Sequence, residues 1–337
     1  NNMNSLLERI YGLTGKKPDL EEVIDQVNSV SFQTNETTLK SFEVIGENKH
    51  FRKVADVQKH LDFIENHCED ITEFTLSNNE YSSEALEKLL EALQECPNVN
   101  KAKITNIIPV WDEFESPELI EVVSRNLLEF RELEEIDLSH NKLPGSAIQS
   151  LGFLLQNSSN IKILKLDSNN LGTDGAMILG EIIEQAPELK LEQISLSKNM
   201  LEDHGAIELA PNLSSIETLK QINLSDNEIR TEGIAFLSRN LLRNAELEVI
   251  DLSGNYIYEE EAISGLCQAF YRLRNIKVVN LSDCFIQNQG CVEILESLED
   301  NSDLKHLNLS YNELDNSEVH ESIQNLLSAK RELVRFT

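Results

Sequence analysis

A protein that carries out its own chemistry must gather nucleophiles, bases or metal ligands, and here the residues of those types are scattered. The seven histidines make neither HxxxH nor HExxH, the spacings that set two imidazoles on one helical face around a metal. His140 and His306 lie on or beside strand-like segments and are expected at the surface or rim. Ser197 and Ser225 belong to a recurring pattern and to no local nucleophile motif. The five cysteines, Cys68, Cys96, Cys267, Cys284 and Cys291, contain no CxxC pair. Neither a zinc cluster nor a disulfide framework is signalled, and reduced cytosolic thiols are the expectation. No GxxxxGK[ST] or GxGxxG phosphate loop is present. Carboxylates outnumber cations so heavily, 59 to 29, that paired acids carry no information. No cofactor, no metal and no catalytic residue is expected, so the chain is not read as an enzyme in its own right.

The formal net charge of -30 excludes whole partner classes. A phosphate backbone needs a positive patch to release its counterions, and an anionic membrane surface needs the same. Nucleic acid and membrane are therefore not expected partners. Such a charge suits a protein that attracts a basic partner, and it also keeps an elongated molecule soluble. The absence of a signal peptide and of any apolar run near 18 residues points to a cytoplasmic protein.

The elements that hold these residues recur as a repeat. L-x-x-L-x-L-x-x-N appears as Leu133, Ile136, Leu138, Asn141, and again as Ile161, Leu164, Leu166, Asn169. It recurs with its closing asparagine at Asn199, Asn227, Asn255 and Asn312, with Cys284 in that slot once. Earlier copies end at Asn79 and Ile107. The slots are 28 to 34 residues apart. Each L-x-L alternates with period two, so it reads as a short strand with one buried face. The slot asparagine can satisfy backbone groups where the chain turns off the strand. Cys284 donates only weakly, so its turn is expected to be less well satisfied. The second half of each unit has helical spacing, as over Gly175–Ala186 and Ser82–Cys96. The fold class is therefore α/β: a leucine-rich-repeat solenoid, or horseshoe, with parallel strands on the concave face and helices on the convex face. Residues 1–40 are read as an N-terminal helical extension, and 41–337 as a repeat domain of about nine to ten 28-residue units.

An apolar face at Val57, Leu61 and Ile64 could seal the first repeat, since a bare terminal repeat exposes its core. At the other end Leu333, Val334 and Phe336 begin another strand, either a short cap or the start of a longer natural chain. The second unit is 34 residues long because of a segment from Ile107 to Pro117 that contains the only tryptophan. Insertions in solenoids fall in rim loops, so Trp111 is an interface-anchor candidate; packing back on the repeat edge is the other reading. The residue between the ladder leucines sets the concave face: Asp137, Lys165, Ser195, Asn223, Asp251, Asn280, Asn308. That row is polar and without aromatics, which fits wet protein recognition and not single-stranded nucleic acid.

From residue 41 onward the chain resembles Ran GTPase-activating proteins. Their early elongated repeat is similar to the unit carrying NIIPVWDEFESPELIE. Their L-N-D-C repeat resembles Asn280-Leu281-Ser282-Asp283-Cys284, and their N-G-I-R-P-x-G resembles Asn227-Glu228-Ile229-Arg230-Thr231-Glu232-Gly233. Their R-N-R-L-E-N resembles Lys198-Asn199-Met200-Leu201-Glu202-Asp203. The resemblance implies a monomeric, cofactor-free regulator of the small GTPase Ran in nucleocytoplasmic transport. It would hold the GTPase's own glutamine and water in line and supply no covalent step. It also implies partner-binding residues on the loops of repeats two to five: Trp111, Glu113, Ser168, Asn169 and Lys198. Two departures stand out. The family's loop arginine falls on Trp111, with no arginine between Arg52 and Arg125. The family's asparagine before the fourth slot is Ser168. A non-catalytic scaffold or effector binding another protein is the alternative.

Overall fold

The computed structural model describes residues 40–46, 48–107, 116–143, 145–329 and 335–336. The expected helical extension over 1–40 and the loop with Trp111 and Glu113 lie outside the described residues, Lys40 excepted.

Alternating apolar residues become strands because each strand can bury one face only against the helix that follows it. β1 (Lys40–Ile45), β3 (Ile71–Ser77) and β5 (Lys101–Thr105) are the long strands. β2 (His50–Phe51) and β4 (Glu80–Tyr81) form a separate two-stranded pair. Then come three-residue strands: β6 (Glu135–Asp137), β7 (Ile163–Lys165), β8 (Gln193–Ser195), β9 (Gln221–Asn223), β10 (Val249–Asp251), β11 (Val278–Asn280) and β12 (His306–Asn308). β13 (Arg335–Phe336) pairs with β12 at the end. The main sheet has 11 strands in chain order, and the paired strands are parallel. A helix lies between successive strands of the main sheet from β3 to β12, so each crossover returns the chain one strand further along.

Register makes the core continuous. Ile136 sits opposite Leu164, Leu164 opposite Ile194, Ile194 opposite Ile222, and Ile222 opposite Ile250. A second ladder runs through Leu138, Leu166, Leu196, Leu224, Leu252, Leu281 and Leu309, all buried. Each such side chain contributes about 1.5–3 kcal/mol of apolar burial, realised only when the neighbouring repeats are in place.

The helices pack in order on the convex side. α1 (Gln58–His67) and α2 (Ser83–Gln94) come first; Ser82 caps α2 by accepting from the Ala85 amide at 3.2 Å. α2 buries Leu86, Leu89, Leu90 and Leu93, the face its spacing predicts. α5, the helix expected from Gly175, starts earlier, at Gly172, and ends at Glu184; α3 (Ser116–Leu127) and α4 (Gly145–Asn157) precede it. Val57 and Ile64 are buried and Leu61 partly so, with α1 lying on α2 in the position of an end seal.

The cysteines depart from the expectation of reduced thiols without a disulfide. Cys68 and Cys96 form a disulfide with their Cα atoms 4.6 Å apart and a sequence separation of 28. That separation is one repeat. Stacking places residues one repeat apart at about one inter-strand spacing, which is disulfide geometry. Cys267, Cys284 and Cys291 remain thiols. Burial pushes Cys267 up to about 11 and Cys284 and Cys291 up to about 12, which keeps them from forming thiolates near neutrality.

Candidate protein-binding rim and concave cleft

The slot asparagines build the rim. Asn169 is fully buried; its Nδ2 donates to the Leu138 and Leu166 carbonyls at 3.0 and 2.9 Å, and its Oδ1 accepts from the Asn141 amide at 2.8 Å. The same links join Asn169 to Asn199, Asn199 to Asn227 and Asn227 to Asn255 at 3.0, 2.9 and 3.2 Å. At Cys284 the sulfur lies 3.3 and 3.4 Å from the Leu252 and Ser282 carbonyls, and one S–H must serve both. That is the weaker satisfaction its chemistry predicts.

The turn throws the residue before each slot into the left-handed region, and in five repeats the residue after it as well. His140 and Lys142 have φ of 63° and 50°, Lys198 and Met200 56° and 53°, Asp283 and Phe285 56° and 59°. Asparagine or glycine would occupy such positions cheaply, as Asn170 and Gly254 do. Larger side chains there cost about 1 kcal/mol each. Their backbone aims them outward, so His140, Lys142, Asn170, Lys198 and Met200 are exposed along one edge.

Inside that edge the concave face holds an open cleft of about 830 Å³, bounded among others by Lys103, Asp137, Lys142, Lys165, Asp167 and Ser168. Its floor corrects the sequence reading. Asp137, Ser195, Asp251, Asn280 and Asn308 are buried, not solvated. In five repeats the Asp or Asn accepts from the amide two residues on: Ser139, Ser225, Ser253, Ser282 and Ser310, at 2.9 to 3.3 Å. This is the local turn that Asx residues form. His306, expected at the surface, is buried in β12, in register between Val278 of β11 and Arg335 of β13. His140 is exposed on the rim, as expected.

Two adjacent repeats break the pattern. Lys165 and Ser195 stand where the acceptor should be, and Asp167 stands in the serine position. Asp167 then serves the next repeat, accepting from Ser195 Oγ and from the Ser197 amide, both at 2.7 Å. Burial raises its carboxyl above the ordinary range, and the nearby Asp137 charge adds to this; the two hydrogen bonds and Lys165 oppose it. Lys165 Nζ lies 3.3 Å from Glu135. A polar floor with an embedded cation is the outcome, in a cleft also lined by exposed Lys103 and Lys142 in an otherwise strongly acidic chain.

Of the residues singled out in the sequence, Ser168 and Lys198 come together on this rim. The Ser168 amide donates to the Ser197 carbonyl at 2.8 Å, directly before Lys198. Asn169 is bound into the buried ladder, so its side chain serves the scaffold; the exposed amide beside it is Asn170. Lys142 and Asn170 were missed. The signal that finds them is their place one residue after the slot, where positive φ turns a side chain outward. Among the described residues no group of three or more His, Cys, Asp or Glu could hold a metal, and no helix is long and apolar enough to cross a membrane.

Comparison with known families gives matches to leucine-rich-repeat models at residues 157–180 and 215–238, and at 132–154 and 303–326. Among solved structures the chain is similar to the tropomodulin C-terminal domain of Caenorhabditis elegans, at 19% identity over 54% of this chain and 92% of that one, with a TM-score of 0.36. It is also similar to an internalin of Listeria monocytogenes, at 14% identity over 94% and 95%, with a TM-score of 0.38.

Proposed function

We propose that this leucine-rich-repeat protein is a non-enzymatic regulator that grips a Ran-like small GTPase with the rim and cleft of its N-terminal half. Protein interaction is the role that its repeats support. The finer reading is supported by the colinear resemblance from residue 41 onward. It is supported too by one observation of geometry: Lys142, Ser168 and Asn170 line one edge of an open polar cleft, and exposed Lys198 follows Ser197, whose carbonyl accepts from the Ser168 amide. Lysines and amides on rigid turns can position a partner's loops without contributing a covalent step. Trp111 and Glu113 belong to the same proposed contact by their place in the elongated repeat.

The test is binding of Ran loaded with GTP or GDP, followed by single-turnover GTP hydrolysis at saturating concentrations of this protein. Nucleotide-dependent binding weakened about tenfold by Lys198→Ala is expected, the loss of one charged contact of about 1.4 kcal/mol. Acceleration of hydrolysis identifies an activator; binding without acceleration identifies a GAP-like binder; no binding ends the reading. Cytoplasmic placement belongs to the same proposal and adds a demand. Cytosolic reductants keep most thiols reduced, so binding has to survive reduction of the Cys68–Cys96 bond.

Trp111 and Ser168, in place of the family's arginine and asparagine, favour a second reading: a scaffold of the same fold for a protein that is not a GTPase. Isolation of a stoichiometric partner of another class, with no affinity for Ran, would select it.

A further inference from the structure

We infer that the rim of the C-terminal half is a second docking surface, one that takes an arginine-bearing, positively charged segment of a protein partner. The column of residues one past each slot ends Glu228, Tyr256, Phe285, Glu313: an aromatic pair bracketed by carboxylates. Tyr256 and Phe285 stack with centroids 5.4 Å apart and planes 12° from parallel. The chain's own Arg230 covers the Tyr256 ring, its guanidinium carbon 4.8 Å from the centroid. Arg230 comes from the repeat before Tyr256 and Phe285 from the repeat after. The guanidinium–ring–ring stack therefore runs along the solenoid and stops at Phe285.

Phe285 is 42% exposed at a φ of 59°. Tyr311, on the next repeat, is 63% exposed at a φ of 60°. Two large rings thus stand in solvent at backbone positions that disfavour them, which is how strain marks a working surface. Exposed rings alone would admit many occupants; the surrounding charge selects one. Asp283 and Glu313 are exposed beside the pair, and Glu228 precedes it. Gly254 leaves room for the Asp226 carboxylate, which a Cβ there would meet at 2.1 Å. Ring faces bordered by carboxylates favour a planar cation, and arginine over lysine because guanidinium both stacks and bonds carboxylates in pairs. Phosphate-bearing ligands are repelled by the same charges. This surface uses none of the residues proposed for the N-terminal rim, so the two readings stand or fall separately.

The test is fluorescence anisotropy with the whole chain and a labelled peptide of alternating arginine and glycine, against lysine and glutamate versions, at physiological ionic strength. The arginine peptide should bind, the lysine peptide about fivefold more weakly, and the glutamate peptide not at all. Phe285→Asn removes the ring and places a residue suited to positive φ. It should weaken the arginine peptide about tenfold while the melting temperature holds or rises. Tyr311→Asn should weaken it about threefold by the same logic and decides the matter if the first variant misfolds. Phe153→Ser, on the convex helix α4 and 64% exposed, should change nothing. No binding of the arginine peptide, equal affinity for arginine and lysine, or full affinity in both ring variants overturns the inference.

Discussion

The two halves of the rim are built on one backbone and carry opposite chemistry. From His140 to Lys198 the outward residues are imidazole, amide, hydroxyl and ammonium groups; from Asp226 to Glu313 they are carboxylates and aromatic rings. Positive φ, the buried asparagine ladder and the parallel register recur in both. The difference teaches that the scaffold and the surface are specified by separate positions. Slot and ladder residues fix where a rim side chain stands; the residues on either side of the slot are free to decide what it offers. Solenoids permit this because each repeat needs only its neighbours for stability.

If the halves share one scaffold, a core lesion between them should destroy both surfaces. Leu224 is buried in the ladder after β9. Leu224→Asp should cost several kcal/mol, about 4 or more, by burying an unpaired charge. Urea unfolding would check this, and a melting temperature within a degree of wild type would contradict a continuous core. The Cys68–Cys96 bond should act on one end only. Cys68→Ala with Cys96→Ala should cost about 3.6 kcal/mol at most, from a closed loop of one repeat. Hydrogen exchange should rise around α1 and α2 and stay unchanged near Phe285; uniform loosening would mean that the halves are not separable.

A smaller effect probes the ladder that joins them. Asn227 Nδ2 donates to the Leu196 carbonyl at 2.8 Å, and its Oδ1 accepts from the Asn199 amide at 2.9 Å. Asn227→Ala should cost about 2 kcal/mol by leaving those groups unpaired, read as a shift in the urea midpoint. The smallest expected change is at Asp167. Its raised carboxyl means that protonation favours the folded state. The resulting stability is complete below the unfolded value near ~3.9 and is lost as pH rises through the higher folded value. Asp167→Asn keeps an oxygen to accept from Ser195 and Ser197. At neutral pH it should match or exceed wild type by less than about 1 kcal/mol, and the gap should close in acid. A variant less stable at neutral pH than in acid, relative to wild type, would show that the charge is useful to the fold.

The legible part of this molecule was whatever depends on period. Leu138 through Leu309, the slot asparagines, the strand-then-helix order and the apolar faces of α2 and α5 follow from spacing, because only one winding buries every ladder residue at once. The rim residues were half legible. Ser168 and Lys198 stood out through resemblance, while Lys142, Asn170 and Phe285 did not, since exposure there comes from the sign of φ. Asn169 had two readings, a slot residue that satisfies backbone groups and, through the resemblance, a contact residue; its burial and its bonds to the Leu138 and Leu166 carbonyls fit the first.

By itself the sequence determined the repeat, its parallel stacking and the acidic character that narrows the partners, because periodic burial and net charge are sums over residues and need no coordinates. Tertiary structure alone decided the Cys68–Cys96 bond, the burial of the concave floor and the exchange of roles between Asp167 and its serines. It also decided the stacking of Arg230, Tyr256 and Phe285. Each of these is a contact between repeats, and a contact made across a parallel strand spacing has no local signature in either segment that makes it.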